Sequence, residues 1–355
     1  MKLIVACGGT GGHSFPGLAV ASELASRGND VTVWMSGRDV ETSVLKGWSG
    51  PVFATGARPL SLKNAVRNIR AFMRCLGEMK RARPDALLAM GSYSSLPPVI
   101  AAARRRVPVV LHEANTVPGR AIDFLSNFAR AVAISFENTA QYFPGKNTVL
   151  TGLPVRLDVA GQPPFENVPE GAFRVFVTGG SQGAHRVNEI ASKALVLLSR
   201  NLASRGRRLY VIHQTGANDE AEVARAYASA GIPARVKAFE HEMGRAFATA
   251  DVVIARAGAS TCFELALTGK PAFLIPLPSA LRNHQHFNAA VFVAAQAAAE
   301  GRQDELSPRS LANWLLHKAE NKYSIAEMAR RMSALRRPDA ASKVADLVER
   351  VAREG

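Results

Sequence analysis

The chain contains the same local pattern twice: a short apolar run, a glycine-rich segment, and a stretch with helical apolar spacing. The first copy covers residues 3–7 and 8–12, and the second covers residues 173–178 and 179–184. Short apolar runs bounded by glycines are typical of buried strands, and glycines let the backbone turn sharply and approach a ligand closely. Because 355 residues exceed one ordinary core, this repeat indicates two similar α/β halves.

Strand-like and helix-like segments alternate along the rest of the chain, as in doubly wound parallel sheets. Strands are predicted at residues 2–7, 31–35, 86–90, 108–112, 131–135, 147–150, 173–178, 208–214, 234–238, 251–255 and 272–276. A proline-rich break at residues 161–169 separates the halves. We therefore predict an α/β protein with two Rossmann-like doubly wound parallel-sheet domains, at residues 1–157 and 158–337, facing a central cleft. A last amphipathic helix is predicted near residues 338–355.

The first glycine segment ends in His13, at the predicted start of a helix. The free N–H groups and positive dipole of a helix N-terminus suit an anionic or hydroxyl-rich ligand, and histidine can move a proton near neutral pH. The segment lacks the Lys-Ser/Thr ending of a P-loop, and Ser14 replaces the third glycine of a dinucleotide fingerprint. Nicotinamide chemistry is therefore disfavoured, and the alternative is a glycine turn with a capping histidine.

The net charge of +15 favours an anionic partner, such as a phosphorylated substrate or an anionic lipid surface. Aromatic residues make up only 7% of the chain and no nucleic-acid-binding motif is present, so nucleic acid is not expected as a partner. The three cysteines are scattered, which fits a reducing cytosol. No signal peptide or transmembrane helix is predicted.

A basic amphipathic helix is predicted at residues 62–83. One acidic residue stands against seven basic residues in this segment, which favours a helix lying on an anionic membrane surface. The residues expected to associate with the membrane are Lys63, Arg67, Ile69, Arg70, Phe72 and Arg74. The alternative is an ordinary surface helix whose apolar residues face inward.

Residues 255–264 are small or hydroxyl-bearing, follow a predicted strand and open a helix, which is the layout of a diphosphate site. Arg256 is expected to neutralise charge on a leaving diphosphate, and Glu264 is expected to accept hydrogen bonds from a ribose diol. The alternative for Glu264 is a capping-box carboxylate. The two histidines that flank Gln285 have no third ligand at a suitable spacing, so no metal site is predicted.

Five segments together carry a resemblance to a known family: residues 8–17, His-Glu-Ala-Asn at 112–115, Gly-Leu-Pro-Val-Arg at 152–156, residues 179–184 and residues 256–264. They resemble the MurG-type N-acetylglucosaminyltransferases of glycosyltransferase family 28. The resemblance implies a GT-B fold with an N-terminal acceptor domain, a C-terminal donor domain and a last helix that returns to the N-terminal domain. It also implies inverting transfer of GlcNAc from UDP-GlcNAc to the C4 hydroxyl of undecaprenyl-diphospho-MurNAc-pentapeptide (lipid I), giving lipid II, with no cofactor.

The resemblance further implies roles for individual residues. Donor contacts are expected from Thr10, Gly11, Gly12, Asn115, Arg156, Ser181, Phe239, Glu240, Arg256, Ala259, Ser260, Thr261, Cys262, Phe263, Glu264 and Gln285. Acceptor contacts are expected from Tyr93 and Glu113. His13 is the candidate general base, and the alternative is that His13 positions the acceptor while Glu113 or another group acts as the base. Ser92 and Glu240 depart from the family, which has a glycine and an apolar residue at these positions.

The partners implied by this resemblance are UDP-GlcNAc, lipid I, an anionic membrane surface and other proteins of wall synthesis. The expected location is the cytoplasmic face of the bacterial inner membrane, as a peripheral enzyme. Three other functions remain open: transfer to another lipid acceptor such as diacylglycerol, epimerisation of a nucleotide sugar, and non-catalytic binding of a UDP-sugar as a scaffold.

Overall fold

A computed structural model describes residues 1–9, 11–38, 45, 47–180 and 183–355 of the chain. These residues form two compact units. The first unit consists of Met1–Arg156 and Arg337–Gly355, and the second consists of Leu157–Arg336. Each unit is built on one β-sheet.

Within the described residues, each strand pairs with its neighbours in parallel. The strands are β1 Lys2–Ala6, β2 Asp30–Met35, β3 Val52–Ala54, β4 Ala86–Ala89, β5 Val109–Glu113, β6 Ala131–Ile134, β7 Thr148–Leu150, β8 Phe173–Thr178, β9 Leu209–Gln214, β10 Ala234–Lys237, β11 Val252–Ala255, β12 Ala272–Leu274 and β13 Ala298–Glu300. The first sheet has the order β3-β2-β1-β4-β5-β6-β7, and the second has the order β10-β9-β8-β11-β12-β13.

The sheets confirm the predicted α/β class and all eleven predicted strands, to within two residues at each end. The sequence pattern did not predict β3 or β13, which have three residues each and lie at sheet edges. The β13 segment Ala-Ala-Glu lies in an alanine-rich run without β-branched residues. Strand signals are runs of about 4–8 residues rich in β-branched and aromatic side chains. The β13 segment lacks these residue types, and the β3 segment Val-Phe-Ala has them but is too short to stand out.

In the part of the chain that the structure describes, α-helices lie between most successive strands. They are α1 Gly11–Ser26, α2 Ala65–Ala82, α3 Leu96–Arg104, α4 Arg120–Leu125, α5 His185–Ala203, α6 Glu220–Ser229, α7 Met243–Thr249, α8 Ala259–Thr268, α9 His284–Ala294, α10 Pro308–Glu320, α11 Lys322–Ala334 and α12 Ala340–Glu354. Short 3-10 helices at Leu62–Asn64 and Tyr93–Ser95 precede α2 and α3.

Side chains of the first sheet alternate between two helix layers, as the pleat of a strand requires. Leu3 and Val5 of β1 pack in the core formed with α1 and α12, and Ile4 and Ala6 pack in the core formed with α2 and α3. Gly17 lets α1 approach β1, because a Cβ atom at this position would lie 2.2 Å from the Cβ of Cys7. The first glycine segment is thereby held close to the end of β1.

The last helix, α12, belongs to the first unit. Its apolar face packs in the same core as α1 and contributes Val344, Ala345, Leu347, Val348 and Val351. Arg27 also pairs with this helix, since its Nη1 atom lies 2.6 Å from Asp346 Oδ1 and 3.4 Å from Glu349 Oε2. Burial of the apolar face of α12 therefore makes this last helix part of the first unit.

Candidate functional site

Loops that follow parallel strands gather at the carboxyl edge of a sheet, where open α/β sheets bind ligands. In the first unit this edge carries His13, the third residue of α1. His13 Nδ1 lies 2.8 Å from the backbone oxygen of Met90, at the end of β4. A carbonyl oxygen only accepts, so Nδ1 carries the proton and the lone pair of the neutral ring is on Nε2. That tautomer is the one a general base requires. Thr10 lies outside the described residues.

The loop after β4 supports the glycine segment. Ser92 has φ 67° and ψ 172°, a combination that only glycine adopts without strain. Its hydroxyl donates to the backbone oxygen of Gly8 over 3.2 Å and accepts from the N–H of Ser94 over 3.2 Å. The Ser94 hydroxyl donates to the same oxygen of Gly8. Tyr93, predicted to contact the acceptor, accepts a hydrogen bond of 3.2 Å from Arg38 Nη1.

The carboxyl group of Glu113 holds the loop that follows β5. Its side chain is 3% exposed, its Oε1 accepts from the backbone N–H and the side-chain amide of Asn115, and its Oε2 accepts from the N–H of Gly119, at 2.8, 3.2 and 3.0 Å. Burial raises the pKa of Glu113 to about 7, although these three donors act in the opposite direction. Glu113 therefore positions Asn115, and the predicted acceptor contact or base role would require these bonds to break.

The segment that carries Arg156 is fixed by its neighbours in the first unit. His112 is buried, its Nε2 lies 3.2 Å from the backbone oxygen of Gly152, and burial lowers its pKa to about 4. Gly152 has φ 81°, and a Cβ atom there would lie 2.7 Å from Arg337 Cβ. The Arg156 guanidinium stacks over the ring of Phe15 in the first turns of α1, 5.3 Å from its centroid.

In the second unit, two glycines between β8 and α5 lie close to backbone atoms. A Cβ atom at Gly183, whose φ is 74°, would lie 2.0 Å from the backbone oxygen of Thr215. A Cβ atom at Gly179 would lie 2.4 Å from the backbone nitrogen of Ala184. Only glycine fits at either position. Ser181 of this segment lies outside the described residues.

The predicted diphosphate segment forms the start of α8. Gly258 is the N-cap, and the first intrahelical bond joins the N–H of Cys262 to the Gly258 oxygen over 3.0 Å. The amides of Ala259, Ser260 and Thr261 precede that bond, so they are the N–H groups that a helix N-terminus offers to an anion. The third helical position is occupied by Thr261, so Glu264 is not a capping-box residue and that alternative is wrong.

Two residues of this segment point into the core. Cys262 is fully buried, with its pKa raised by burial, and its N–H is used inside α8. Phe263 is 5% exposed and packs edge-to-face on Phe292. Both side chains are therefore buried within the second unit. This arrangement does not support the donor contacts predicted for Cys262 and Phe263.

Arg256 has other partners than the predicted diphosphate. Its Nη1 donates to the backbone oxygens of Ile275 and Pro276, at 3.1 Å each, and its Nη2 donates to Gln303 Oε1 over 2.6 Å. The side chain is buried, and burial lowers its pKa. The guanidinium therefore braces the loop after β12, and its contact with a diphosphate stays a prediction.

The loop after β10 contains Phe239, which is 46% exposed, and Glu240, which is buried. The Glu240 N–H donates to Gln214 Oε1 over 3.1 Å, so this N–H is already used and is not a donor for a nucleobase. Its carboxylate accepts from Arg235 Nε at 2.8 Å and from the N–H of Glu242 at 3.0 Å. Burial alone would raise the pKa of Glu240, but these donors hold it below its usual value. The departure from an apolar residue is thus compensated by Arg235.

The start of α9 adds two amide side chains to this edge. Gln285 Oε1 accepts from the N–H of Leu277 over 3.0 Å, which orients its NH₂ group as a donor. Asn288 is fully buried and donates to the backbone oxygen of Ala257 over 3.1 Å. Asn288 was not predicted as a site residue. The signal that could have identified it is its place at the end of the mainly polar segment 283–288, which also contains Gln285.

The amphipathic segment forms a 3-10 helix followed by α2, and it turns apolar side chains outward. The exposed apolar ridge consists of Leu62, Val66, Ile69 and Met73, with exposed fractions of 97, 60, 62 and 58%. The basic stripe beside it consists of Lys63, Arg67, Arg70 and Arg74, all exposed. The interpretation as an ordinary surface helix with these apolar residues inward is therefore wrong. Phe72 is half-buried against the core formed with α2 and α3, which corrects its predicted exposure to a membrane.

No helix within the described residues is both long and apolar enough to cross a membrane.

Comparisons with known proteins agree with this geometry. Residues 3–134 match the model of the glycosyltransferase family 28 N-terminal domain, and residues 174–351 match that of the C-terminal domain. A relative from Pelobacter propionicus is 37% identical over 98% of both chains, and one from Bordetella petrii is 38% identical over 99% of this chain and 98% of its own. Both are named UDP-N-acetylglucosamine–N-acetylmuramyl-(pentapeptide) pyrophosphoryl-undecaprenol N-acetylglucosamine transferase.

Solved structures give the same result. MurG of Acinetobacter baumannii is 30% identical, with a TM-score of 0.80 over 98% of this chain and 99% of its own. A UDP-GlcNAc 2-epimerase from Neisseria meningitidis shares the fold, with a TM-score of 0.71 over 99% of this chain and all of its own, but only 12% identity. These likenesses confirm the predicted GT-B fold class.

Proposed function

The chain belongs to glycosyltransferase family 28, and we propose that it catalyses the transfer for which its relatives are named. It transfers GlcNAc from UDP-GlcNAc to undecaprenyl-diphospho-MurNAc-pentapeptide, lipid I, and produces lipid II. The observation that carries this function is the 37–38% identity to relatives of that named activity over almost the full length of both chains. The polar residues at the two carboxyl edges supply the chemistry.

We assign the donor to the second unit, Leu157–Arg336. The diphosphate lies on the amides of Ala259, Ser260 and Thr261 and on the glycine segment after β8, because both are openings of helices. Glu264 accepts hydrogen bonds from the ribose diol, and the NH₂ group of Gln285 donates to a sugar hydroxyl. Uracil lies against the loop of Phe239 and Glu240, and Glu240 offers its backbone oxygen since its N–H is bonded to Gln214.

We assign the acceptor and the base to the first unit. Nε2 of His13 takes the proton of the C4 hydroxyl as its oxygen bonds to C1 of GlcNAc. The bond between C1 and the β-phosphate oxygen breaks at the same time, UDP leaves from the opposite face, and the anomeric configuration inverts. The hydrogen bond to Met90 supports this role, because it keeps the proton on Nδ1 in the neutral ring. Glu113 supports the site indirectly by holding Asn115.

The charge that develops on the departing UDP is met by backbone N–H groups at the start of α8. Such groups are fixed before the reaction and need no rearrangement in the transition state. We therefore expect transfer without a metal ion or other cofactor.

We place the enzyme on the cytoplasmic face of the inner membrane through the exposed apolar ridge and the basic stripe of the first unit. Residues 51–156 contain fifteen lysines and arginines against five acidic residues, so this region is attracted to anionic lipid. Insertion of the ridge then adds burial of apolar surface. Such binding brings the acceptor edge close to its lipid-linked substrate. Other proteins of wall synthesis are further proposed partners.

Transfer to a defined acceptor tests this function. The purified chain is incubated with radiolabelled UDP-GlcNAc and either a short-chain lipid I analogue or diacylglycerol. We expect label only in the product of the lipid I analogue. Label in the diacylglycerol reaction would instead indicate a transferase for another lipid, and UDP-GlcNAc binding with no labelled lipid would indicate a binding scaffold.

A further inference from the structure

One buried side chain connects the two loops to which the proposed function assigns the nucleotide. Gln214 is the last residue of β9, and β9 lies between β8 and β10 in the second sheet. The glycine segment assigned to the diphosphate follows β8, and the loop of Phe239 and Glu240, assigned to uracil, follows β10. A side chain at the carboxyl end of β9 is therefore placed to reach both.

The Gln214 amide makes three hydrogen bonds, to the end of β8, to the glycine segment and to the loop of Glu240. Its Nε2 donates to the backbone oxygen of Gly180 over 2.7 Å and to Thr178 Oγ1 over 3.4 Å, and its Oε1 accepts from the N–H of Glu240 over 3.1 Å. The side chain is 3% exposed. Its orientation is determined, because a carbonyl only accepts and a backbone N–H only donates. Among the amide side chains, only glutamine is long enough to place its donor and its acceptor at these two positions.

The residues that follow Gln214 brace the same junction. The Thr215 oxygen would lie 2.0 Å from a Cβ atom at Gly183, and it accepts from Asn188 Nδ2 over 2.7 Å. The Thr215 N–H donates to the backbone oxygen of Lys237 over 3.0 Å, at the end of β10. The end of β9 thus contacts both the glycine segment and the loop after β10 through backbone and side-chain atoms.

We propose that Gln214 is a positioning residue for nucleotide binding. It sets the separation between the glycine segment and the loop of Glu240, and it does so without touching UDP. The inference rests on the proposed function, which assigns the two ends of UDP to these loops. Removal of the amide would release both loops at the carboxyl edge while the strands beneath keep their pairing.

The test compares Gln214→Met, which keeps the unbranched shape and removes the three hydrogen bonds, with Thr249→Val. Thr249 is a matched control in the same unit: it is fully buried in α7, accepts from the N–H of Phe165 over 2.7 Å and donates to the oxygen of Arg245 over 2.7 Å. Thr249 precedes β11, so it lies at the amino edge of the sheet, away from both loops.

For Gln214→Met we expect the Kd of UDP, measured by calorimetry, to rise about tenfold or more, since buried partners lose their hydrogen bonds. The KM for UDP-GlcNAc rises with it, and the KM for the lipid I analogue stays unchanged. For Thr249→Val we expect a lower melting temperature and a UDP affinity within about twofold of the native value. Equal UDP affinity in Gln214→Met and the native chain would overturn the inference.

Hydrogen exchange gives an independent readout without ligand. Peptides covering residues 179–184 and 238–242 should exchange faster in Gln214→Met than in the native chain, and unchanged exchange in both would contradict the coupling. If Gln214→Met does not fold, Gln214→Asn replaces it. The shorter side chain keeps the amide but does not span the distance between the Gly180 oxygen and the Glu240 N–H, so UDP binding weakens about tenfold, and unchanged UDP binding would overturn the inference. Failure of the native chain to bind UDP would overturn the proposed function and this inference together.

Discussion

The buried carboxyl group of Glu113 makes the stability of the first unit depend on pH in a defined direction. Its pKa of about 7 in the folded chain exceeds the ordinary value of 4.5, because burial outweighs three N–H donors. The folded state therefore binds a proton more tightly than the unfolded state. The stabilisation from this protonation is fully present below pH 4.5 and is lost as the pH rises through about 7.

The size of the effect follows from that difference in pKa. Each unit of pKa corresponds to about 1.4 kcal/mol, so the contribution of Glu113 to the free energy of unfolding falls by about 3 kcal/mol between pH 4.5 and pH 8. Glu113→Gln removes this dependence, because an amide does not titrate. As the pH is lowered from 8 to 4.5, the free energy of unfolding of the native chain should therefore increase by about 3 kcal/mol relative to that of Glu113→Gln. The contributions of other titrating groups cancel, because both proteins contain them.

Urea denaturation of both proteins at the two pH values measures this difference. Trp314→Phe in both backgrounds leaves Trp34 and Trp48 of the first unit as the fluorescence reporters, and Trp34 is 1% exposed. The reasoning would be refuted if the difference in unfolding free energy between the two proteins were the same at both pH values to within about 1 kcal/mol. It would mean that the N–H groups of Asn115 and Gly119 stabilise the ionised carboxylate enough to offset its burial.

Three further predictions concern catalysis, donor binding and the membrane. His13→Ala should lower kcat about 10²- to 10⁴-fold, the usual contribution of a general base, with an unchanged Kd of UDP in calorimetry. An equal loss of both would instead place His13 in binding. Glu264→Ala should weaken UDP-GlcNAc binding about tenfold or more while the KM of the lipid acceptor stays unchanged, and an unaltered donor Kd would exclude the ribose contact. Reversal of three arginines of the basic stripe to Glu should lower cosedimentation with anionic vesicles more than about a hundredfold at low salt, and less at high salt. The control is the same reversal at three exposed arginines of the second unit, Arg200, Arg225 and Arg309. Equal vesicle binding by the two triple variants would exclude the stripe as a membrane contact.

The sequence predicted eleven of the thirteen described strands because buried parallel strands are continuous apolar runs. It also predicted the helix at residues 62–83, since a 3.6-residue period is visible without knowledge of what the helix packs against. The same period could not decide which apolar face is buried. The structure buries Ala71, Cys75 and Met79 and exposes Ile69 and Met73, a choice made by the neighbouring α3 and the sheet.

Polar partners at the second carboxyl edge were the hardest to predict. Arg256 was assigned to a diphosphate from its charge, its place after a strand and the family resemblance, but the oxygens of Ile275 and Pro276 that it contacts come from the loop after β12. Gln214 carries no sequence signal at all, because its partners Gly180 and Glu240 lie in loops 34 and 26 residues away along the chain. Backbone donors and acceptors of distant loops leave no pattern in the sequence, so such bonds become visible only in three dimensions.

The most direct test of the central claim counts two products in the same reaction. Native chain is incubated with UDP-GlcNAc labelled in the sugar and a short-chain lipid I analogue, and both released UDP and labelled lipid are quantified over time. A glycosyltransferase of the proposed kind releases one UDP for each GlcNAc that reaches the lipid, and His13→Ala slows both equally. UDP release without labelled lipid, or labelled lipid only when diacylglycerol replaces the lipid I analogue, would contradict the account.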